Sequence, residues 1–172
     1  MNLDITLKSQ LYTLRALIIT SIVYFGIIFY LYLHLEEYVG LVKGIFLTTF
    51  FPLYVPFHLL PVIILHINYL NHDKYKNVKV EKDKLTIDGA VYTADDIDTI
   101  NIVATAPYFS GWEDVGTVSY TRHYYYIEIH LKTGEQINLS SLRYKIGKVI
   151  RENFKTVNIV KEVYLFPRIP SK

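Results

Sequence analysis

The sequence contains no cysteine. That excludes a disulfide framework, a thiolate-held zinc or iron–sulfur centre and a thiol nucleophile. It is also poor in charge: 20% of its 172 residues are Asp, Glu, Lys or Arg. Between Ala16 and Leu70 there are only three charges, Glu36, Glu37 and Lys43. A soluble domain spreads charge over its whole surface, so this distribution argues against a uniform soluble domain. The net charge of +2 is too small to draw the whole molecule to a nucleic-acid polymer. The catalytic signatures Gly-x-Ser-x-Gly, His-Glu-x-x-His, the Walker loop and Gly-x-Gly-x-x-Gly are missing. The expectation is therefore no enzyme, no catalytic residue and no cofactor. What is abundant is apolar and aromatic: 51% hydrophobic residues, sixteen Tyr and nine Phe, with a mean hydropathy of +0.22. Such a chain is not disordered.

The apolar residues are concentrated at one end. Residues 16–35 are uncharged, and as a helix they span about 30 Å, the thickness of a bilayer core. A signal peptide would be shorter and would end at a small-residue cleavage site, not in Leu-His-Leu-Glu-Glu-Tyr. Residues 45–70 form a second uncharged stretch, interrupted by Pro52, Pro56 and Pro61. Each proline removes a backbone donor. Two forms satisfy the freed carbonyls: a kinked, tilted helix, or a broken helix lining a polar path in an oligomer. The connection is short, so residues 1–70 are expected to form a two-helix transmembrane hairpin. Lys8, Arg15, Lys74, Lys76 and Lys79 flank its open end, whereas the loop has Lys43 alone. The positive-inside rule then places both termini in the cytoplasm.

Residues 71–172 change period. Val78/Val80, Leu85/Ile87 and Ile100/Ile102/Ala104 alternate with polar residues, as strands do. Residues 119–132 are the longest strand candidate, with Tyr125, Ile127, Ile129 and Leu131 on one face and Tyr124, Tyr126, Glu128 and His130 on the other. Thr133-Gly134 turns the chain into residues 136–139. Leu142, Ile146, Val149, Ile150 and Phe154 then repeat with helical spacing, behind Ser140 or Ser141 as N-cap. A last strand is expected over 157–166. The reading is a cytoplasmic, small antiparallel β-barrel-like domain with one helix near its C-terminal end.

Three sets of residues invite a functional role. Trp112, Arg122, Tyr124 and Tyr126 combine aromatic faces with a guanidinium, which suits a nucleobase bearing phosphate. The alternative is that these aromatics fill strand faces. Pro52, Pro56 and His58 lie mid-membrane, where a titratable group marks a pore or a helix contact. Lys145, Lys148, Arg151 and Lys155 form a basic face suited to anionic lipid. The Asp95-Asp96-Ile97-Asp98 cluster reads as a solvated turn, since it lacks calcium-loop spacing. No metal site is expected.

The whole plan, a membrane hairpin followed by about 100 β-rich residues, resembles the two-transmembrane β-barrel effectors of bacterial cyclic-nucleotide anti-phage systems. That resemblance implies a bacterial inner-membrane homo-oligomer whose barrel senses a cyclic nucleotide and whose helices disrupt the membrane. A second resemblance covers Lys74 to about Lys155. The segments Val-Lys-Val-Glu-Lys-Asp-Lys-Leu-Thr-Ile and Tyr-Thr-Ala-Asp-Asp-Ile, the hairpin at Gly134 and the late helix are similar to bacterial pleckstrin-homology-like domains. That resemblance implies a membrane-tethered scaffold that binds a protein partner or anionic lipid.

Overall fold

A computed structural model describes residues 1–34, 38–109 and 123–170. Helix α1 runs Leu7–His34, 28 residues. The return helix is continuous over 35 residues. It comprises α2 (Val39–Thr49), a π-helical segment (Phe50–Leu59) and α3 (Leu60–Asp73). Both helices are long and apolar enough to cross a membrane. The π segment is where Pro52 and Pro56 fall. An α turn would press a pyrrolidine ring against the carbonyl four residues back, and the wider i→i+5 turn relieves that contact. Both helices outrun the apolar stretches 16–35 and 45–70 at the charged end. Leu7–Arg15 and the last turn of α3 are held by the β-rich part: Ser9 and Thr13 are buried, and Thr13 Oγ1 donates to Ser141 O at 3.5 Å.

The β-rich part holds two sheets. The first has β1 (Val78–Glu81), β2 (Lys84–Ile87) and β3 (Ala90–Thr93) in order, all antiparallel. The β2–β3 turn, Asp88-Gly89, has both φ angles positive (50° and 89°), the backbone a tight two-residue hairpin requires. Residues 1–3 line the outer edge of β1 through Leu3 N–H to Val78 O (2.8 Å) and Val80 N–H to Met1 O (2.9 Å). The second sheet has the order β6-β5-β4-β7, from β4 (Ile97–Ala104), β5 (Tyr125–Leu131), β6 (Gln136–Ser140) and β7 (Asn158–Val163). β3 and β4 are joined through a short 3-10 turn, Ala94–Asp96, and β4 is followed by one turn of helix, α4 (Ala106–Phe109).

Among the described residues the sheets do not close into the expected barrel, and they are not wholly antiparallel. β7 lies parallel to β4, from Thr99 opposite Asn158 to Ala104 opposite Val163. The cause is helix α5 (Ile146–Asn153), which carries the chain across the core between β6 and β7. A helical crossover of this kind delivers a strand in the parallel sense, as a tight hairpin cannot. Helix α5 also starts later than expected. Its N-cap is Lys145, in the left-handed region at φ 56°, with no side-chain cap. Ser140 and Ser141 are engaged elsewhere. Leu142, Ile146, Val149, Ile150 and Phe154 are buried as their spacing required. Gly147 lets α5 approach the sheet: a Cβ there would lie 2.8 Å from the Tyr108 hydroxyl. Its N–H donates to Tyr125 Oη at 3.0 Å.

Candidate functional site at the helix-domain junction

A dense set of buried bonds gathers where α3 ends. Asp73 and Arg143 are both fully buried, with Arg143 Nε donating to Asp73 Oδ2 at 3.2 Å. The same carboxylate oxygen accepts from Ser140 N–H (2.7 Å) and Ser140 Oγ (2.8 Å). The rest of the guanidinium donates to backbone carbonyls: Asp73 O at 2.9 Å, Lys76 O at 2.8 Å, and Leu3 O. Lys76 Nζ completes the set, reaching Asp73 Oδ1 (3.2 Å) and Asn138 O (2.9 Å). One side chain on the β6–α5 loop thus ties together α3, the connection from it to β1 and the N-terminal segment. Burying two charges is unfavourable unless each is paired and its remaining donors and acceptors are satisfied. Here the donors of Arg143 converge on fixed carbonyls, which sets the angle between helix and sheet.

A second layer lies toward the apolar helices. Tyr69, Leu65 and Val62 of α3 pack on Val103, Tyr124, Tyr126, Leu142 and Ile169. Tyr124 and Tyr126, expected on a ligand face, occupy this joint and are buried. Burial pushes the Tyr124 phenol well above its ordinary pKa, so it stays a proton donor. It lies 3.0 Å from His66 Nδ1, and His66 Nε2 lies 3.2 Å from Gln10 Oε1. A carbonyl oxygen only accepts, so Nε2 carries the imidazole proton and Nδ1 accepts from the tyrosine. The chain Tyr124–His66–Gln10 links β-domain, α3 and α1. Beside it Arg15 Nε donates to His123 Nε2 at 3.1 Å, and the guanidinium covers the Tyr12 ring at 4.1 Å.

Within the hairpin four hydroxyls turn toward the opposite helix. Ser21 Oγ and Tyr54 Oη share a short hydrogen bond, and Tyr24 Oη bonds Thr49 Oγ1 at 2.8 Å. Phe46, Phe50, Tyr54 and His58 stack at four-residue intervals, with centroid distances of 4.9, 5.6 and 5.7 Å. His58 ends this ladder beside a cavity of about 410 Å³ lined by Thr20, Tyr24, Thr49, Tyr54 and Phe57 among others. Pro52 and Pro56 lie in the same π segment as His58.

Of the residues expected to bind a ligand, Trp112 and Arg122 lie outside the described residues. Lys145, Lys148, Arg151 and Lys155 are all exposed along α5 and its flanks. Lys148 pairs with Glu152 at 3.6 Å, and Arg151 Nε donates to Gly147 O. Among the described residues no cluster of three His, Asp or Glu could hold a metal ion. Sequence reasoning missed Asp73 and Arg143. Their one sequence signal was Asp73 itself, an acid at the end of an apolar helix among lysines. No family model, curated protein or solved structure matches this chain.

Proposed function

We propose that this protein is a membrane-anchored sensor-effector. Its β-rich domain takes up a small anionic ligand, with a cyclic nucleotide as the candidate, and the ligand changes how the transmembrane hairpins of several copies assemble. Disruption of a bacterial inner membrane in anti-phage defence is the outcome the whole-chain resemblance suggests. The observation that supports the reading is the buried Asp73–Arg143 joint. A passive tether needs only a flexible linker, whereas here three segments converge on one guanidinium. A domain fixed to its helices in this way cannot change shape without moving them. The ligand acts only by binding one assembly better than another: about 1.4 kcal/mol of difference shifts the equilibrium tenfold.

A second reading is the membrane-tethered scaffold, favoured by the exposed basic face of Lys145, Lys148, Arg151 and Lys155. One experiment separates the two. The full chain is reconstituted into dye-loaded vesicles and challenged with cyclic mono-, di- and trinucleotides. The sensor-effector reading expects one nucleotide to change dye release, and Trp112→Ala and Arg122→Gln to abolish the response. A panel that leaves both dye release and thermal stability unchanged turns the conclusion to the scaffold.

A further inference from the structure

The layer that joins α1 to the β-rich domain is held through histidine rings that accept hydrogen bonds. His123 Nε2 accepts from Arg15 Nε at 3.1 Å. His66 has a partner on each nitrogen: Nδ1 lies 3.0 Å from Tyr124 Oη, and Nε2 lies 3.2 Å from Gln10 Oε1. Tyr124 decides where the proton of this chain sits. It is fully buried, and among the described residues its hydroxyl has no bonding partner but His66. The hydroxyl proton therefore goes to Nδ1, and the ring carries its own proton on Nε2. One neutral imidazole closes α1, α3 and β5 on one another.

Protonation of His66 breaks this arrangement. Nδ1 then carries a hydrogen, and two donors face each other across 3.0 Å. The hydroxyl can turn to accept, but its own proton is then buried without an acceptor, and an orphaned buried donor costs more than a bond never made. The surroundings do not compensate the new charge. On α1 the ring faces Gln10, while Arg15 is engaged with His123 and the Tyr12 ring. On β5 it faces Tyr124, whose phenol stays protonated, with His123 before it and Tyr126 after it. On α3, Tyr69 packs on Tyr124, and Asp73, two turns on, is held by Arg143. Among the described residues no carboxylate is bonded to His66.

We infer that His66 is a proton-sensitive latch between the helices and the β-rich domain. The neutral ring holds the layer shut. Acidification favours an opened layer, in which the ring is wetted and takes up a proton with the ordinary affinity of a histidine. The latch is then whole above about pH 6.5, the ordinary histidine pKa, and weakens as pH falls below it. Against a closed layer that refuses the proton, a fall from pH 7.5 to pH 5 shifts the balance toward the open form by up to about thirtyfold. The Asp73–Arg143 pair still fastens the far end of α3, so the opening is local. The latch goes beyond the sensor reading and does not depend on a nucleotide.

The chain has no cysteine, so single thiols can report on the layer. Thr13→Cys places one inside it, at a position 2% exposed, and Leu11→Cys places one outside, at a position 47% exposed. The full chain in detergent is labelled with a dithiodipyridine, which attacks thiols at acid pH as well. The ratio of the buried to the exposed labelling rate at each pH reads how often the layer opens. The ratio should rise between pH 7.5 and pH 5 by up to about thirtyfold. His66→Gln, which keeps a donor and an acceptor but cannot charge, should flatten the rise, and His123→Gln should keep it. A flat ratio in the otherwise wild-type chain, a rise that His66→Gln leaves unchanged, or a rise that only His123→Gln abolishes would overturn the latch. Should His66→Gln not fold, the nitrogen NMR spectrum of the wild-type histidines decides. A neutral His66 protonated on Nε2 at pH 7.5 supports the latch, and the opposite tautomer or a ring already charged at that pH overturns it.

Discussion

The hairpin and the β-rich domain solve opposite problems with the same residue types. In the domain, Ile100, Ile102, Ile127, Ile129 and Leu139 are fully buried or nearly so, and charge lies largely outside, Arg143 at the junction excepted. In the hairpin, Ile19, Ile22, Val23, Ile27 and Phe29 are more than half exposed, and the hydroxyls of Ser21, Tyr24, Thr49 and Tyr54 face inward. None of the most apolar 18-residue window of α1 is buried. An apolar exterior on that scale calls for cover by lipid or by other apolar helices. The comparison teaches that different forces hold the two regions. Burial of apolar area stabilises the domain. The hairpin, under the proposed membrane reading, depends on close packing and on a few hydrogen bonds. At the junction the two regimes meet, and there a buried ion pair appears.

The junction is the place to break the comparison most severely. Arg143→Met leaves the Asp73 carboxylate buried without its main cation, and removing one partner of a buried pair costs about 3–5 kcal/mol. Denaturant unfolding of the full chain in detergent should show that loss. The double variant Asp73→Leu/Arg143→Met should recover part of it, because an apolar pair needs no compensation. A loss below about 1 kcal/mol for the single variant would mean that the joint behaves as a surface pair and would remove the support for mechanical coupling.

A smaller effect is expected inside the hairpin. Tyr54→Phe deletes the hydroxyl bonded to Ser21 and keeps the stacked ring, 4.8 Å from Tyr24. Hydrogen bonds between helices in lipid average about 0.6 kcal/mol. Helix separation measured by steric trapping should report a change of that order, with the domain's own stability unmoved. A loss of several kcal/mol would mean that the two regions unfold as one.

Period and composition exposed each region by itself, and the junction hardly at all. The apolar runs located both helices, and alternation located β1, β2, β4 and the described part of β5. The helical repeat from Leu142 to Phe154 correctly named a buried face, although α5 begins only at Ile146. The serines expected to cap it were drawn off by Asp73 and by the Tyr125 N–H. Those partners are distant in sequence, and a local pattern cannot register them. The same holds for β7: alternation identifies a strand, but its parallel sense depends on where α5 leaves the chain. Tyr124 and Tyr126 drew attention as aromatics beside the Arg122 guanidinium, with the filling of a strand face as the alternative. Their packing against Val62, Leu65 and Tyr69 of α3 is a contact distant in sequence, and no local pattern announces it. Arg143 was one base among ten in residues 122–172, and only its surroundings distinguish it.

The smallest expected effect is a pH dependence confined to the domain. Thr93 donates to Asp96 Oδ2 from both N–H and Oγ1, each at 2.7 Å, closing a capping box at the 3-10 turn before β4. The bonds from the Thr93 backbone and hydroxyl hold the Asp96 carboxyl below the usual aspartate range. A depressed carboxylate contributes stability above its unfolded pKa of about 3.9, and that contribution is lost as pH falls toward the folded value. Acidification from pH 5 to pH 3 should therefore lower the melting temperature of the wild type more than that of Asp96→Asn. The difference should be small because the group is exposed. α1 and residues 39–70 contain no carboxylate, so the difference should follow the unfolding of the β-rich domain and not the separation of the helices. Parallel melting curves for the two proteins across that range would show that the turn is formed without the box.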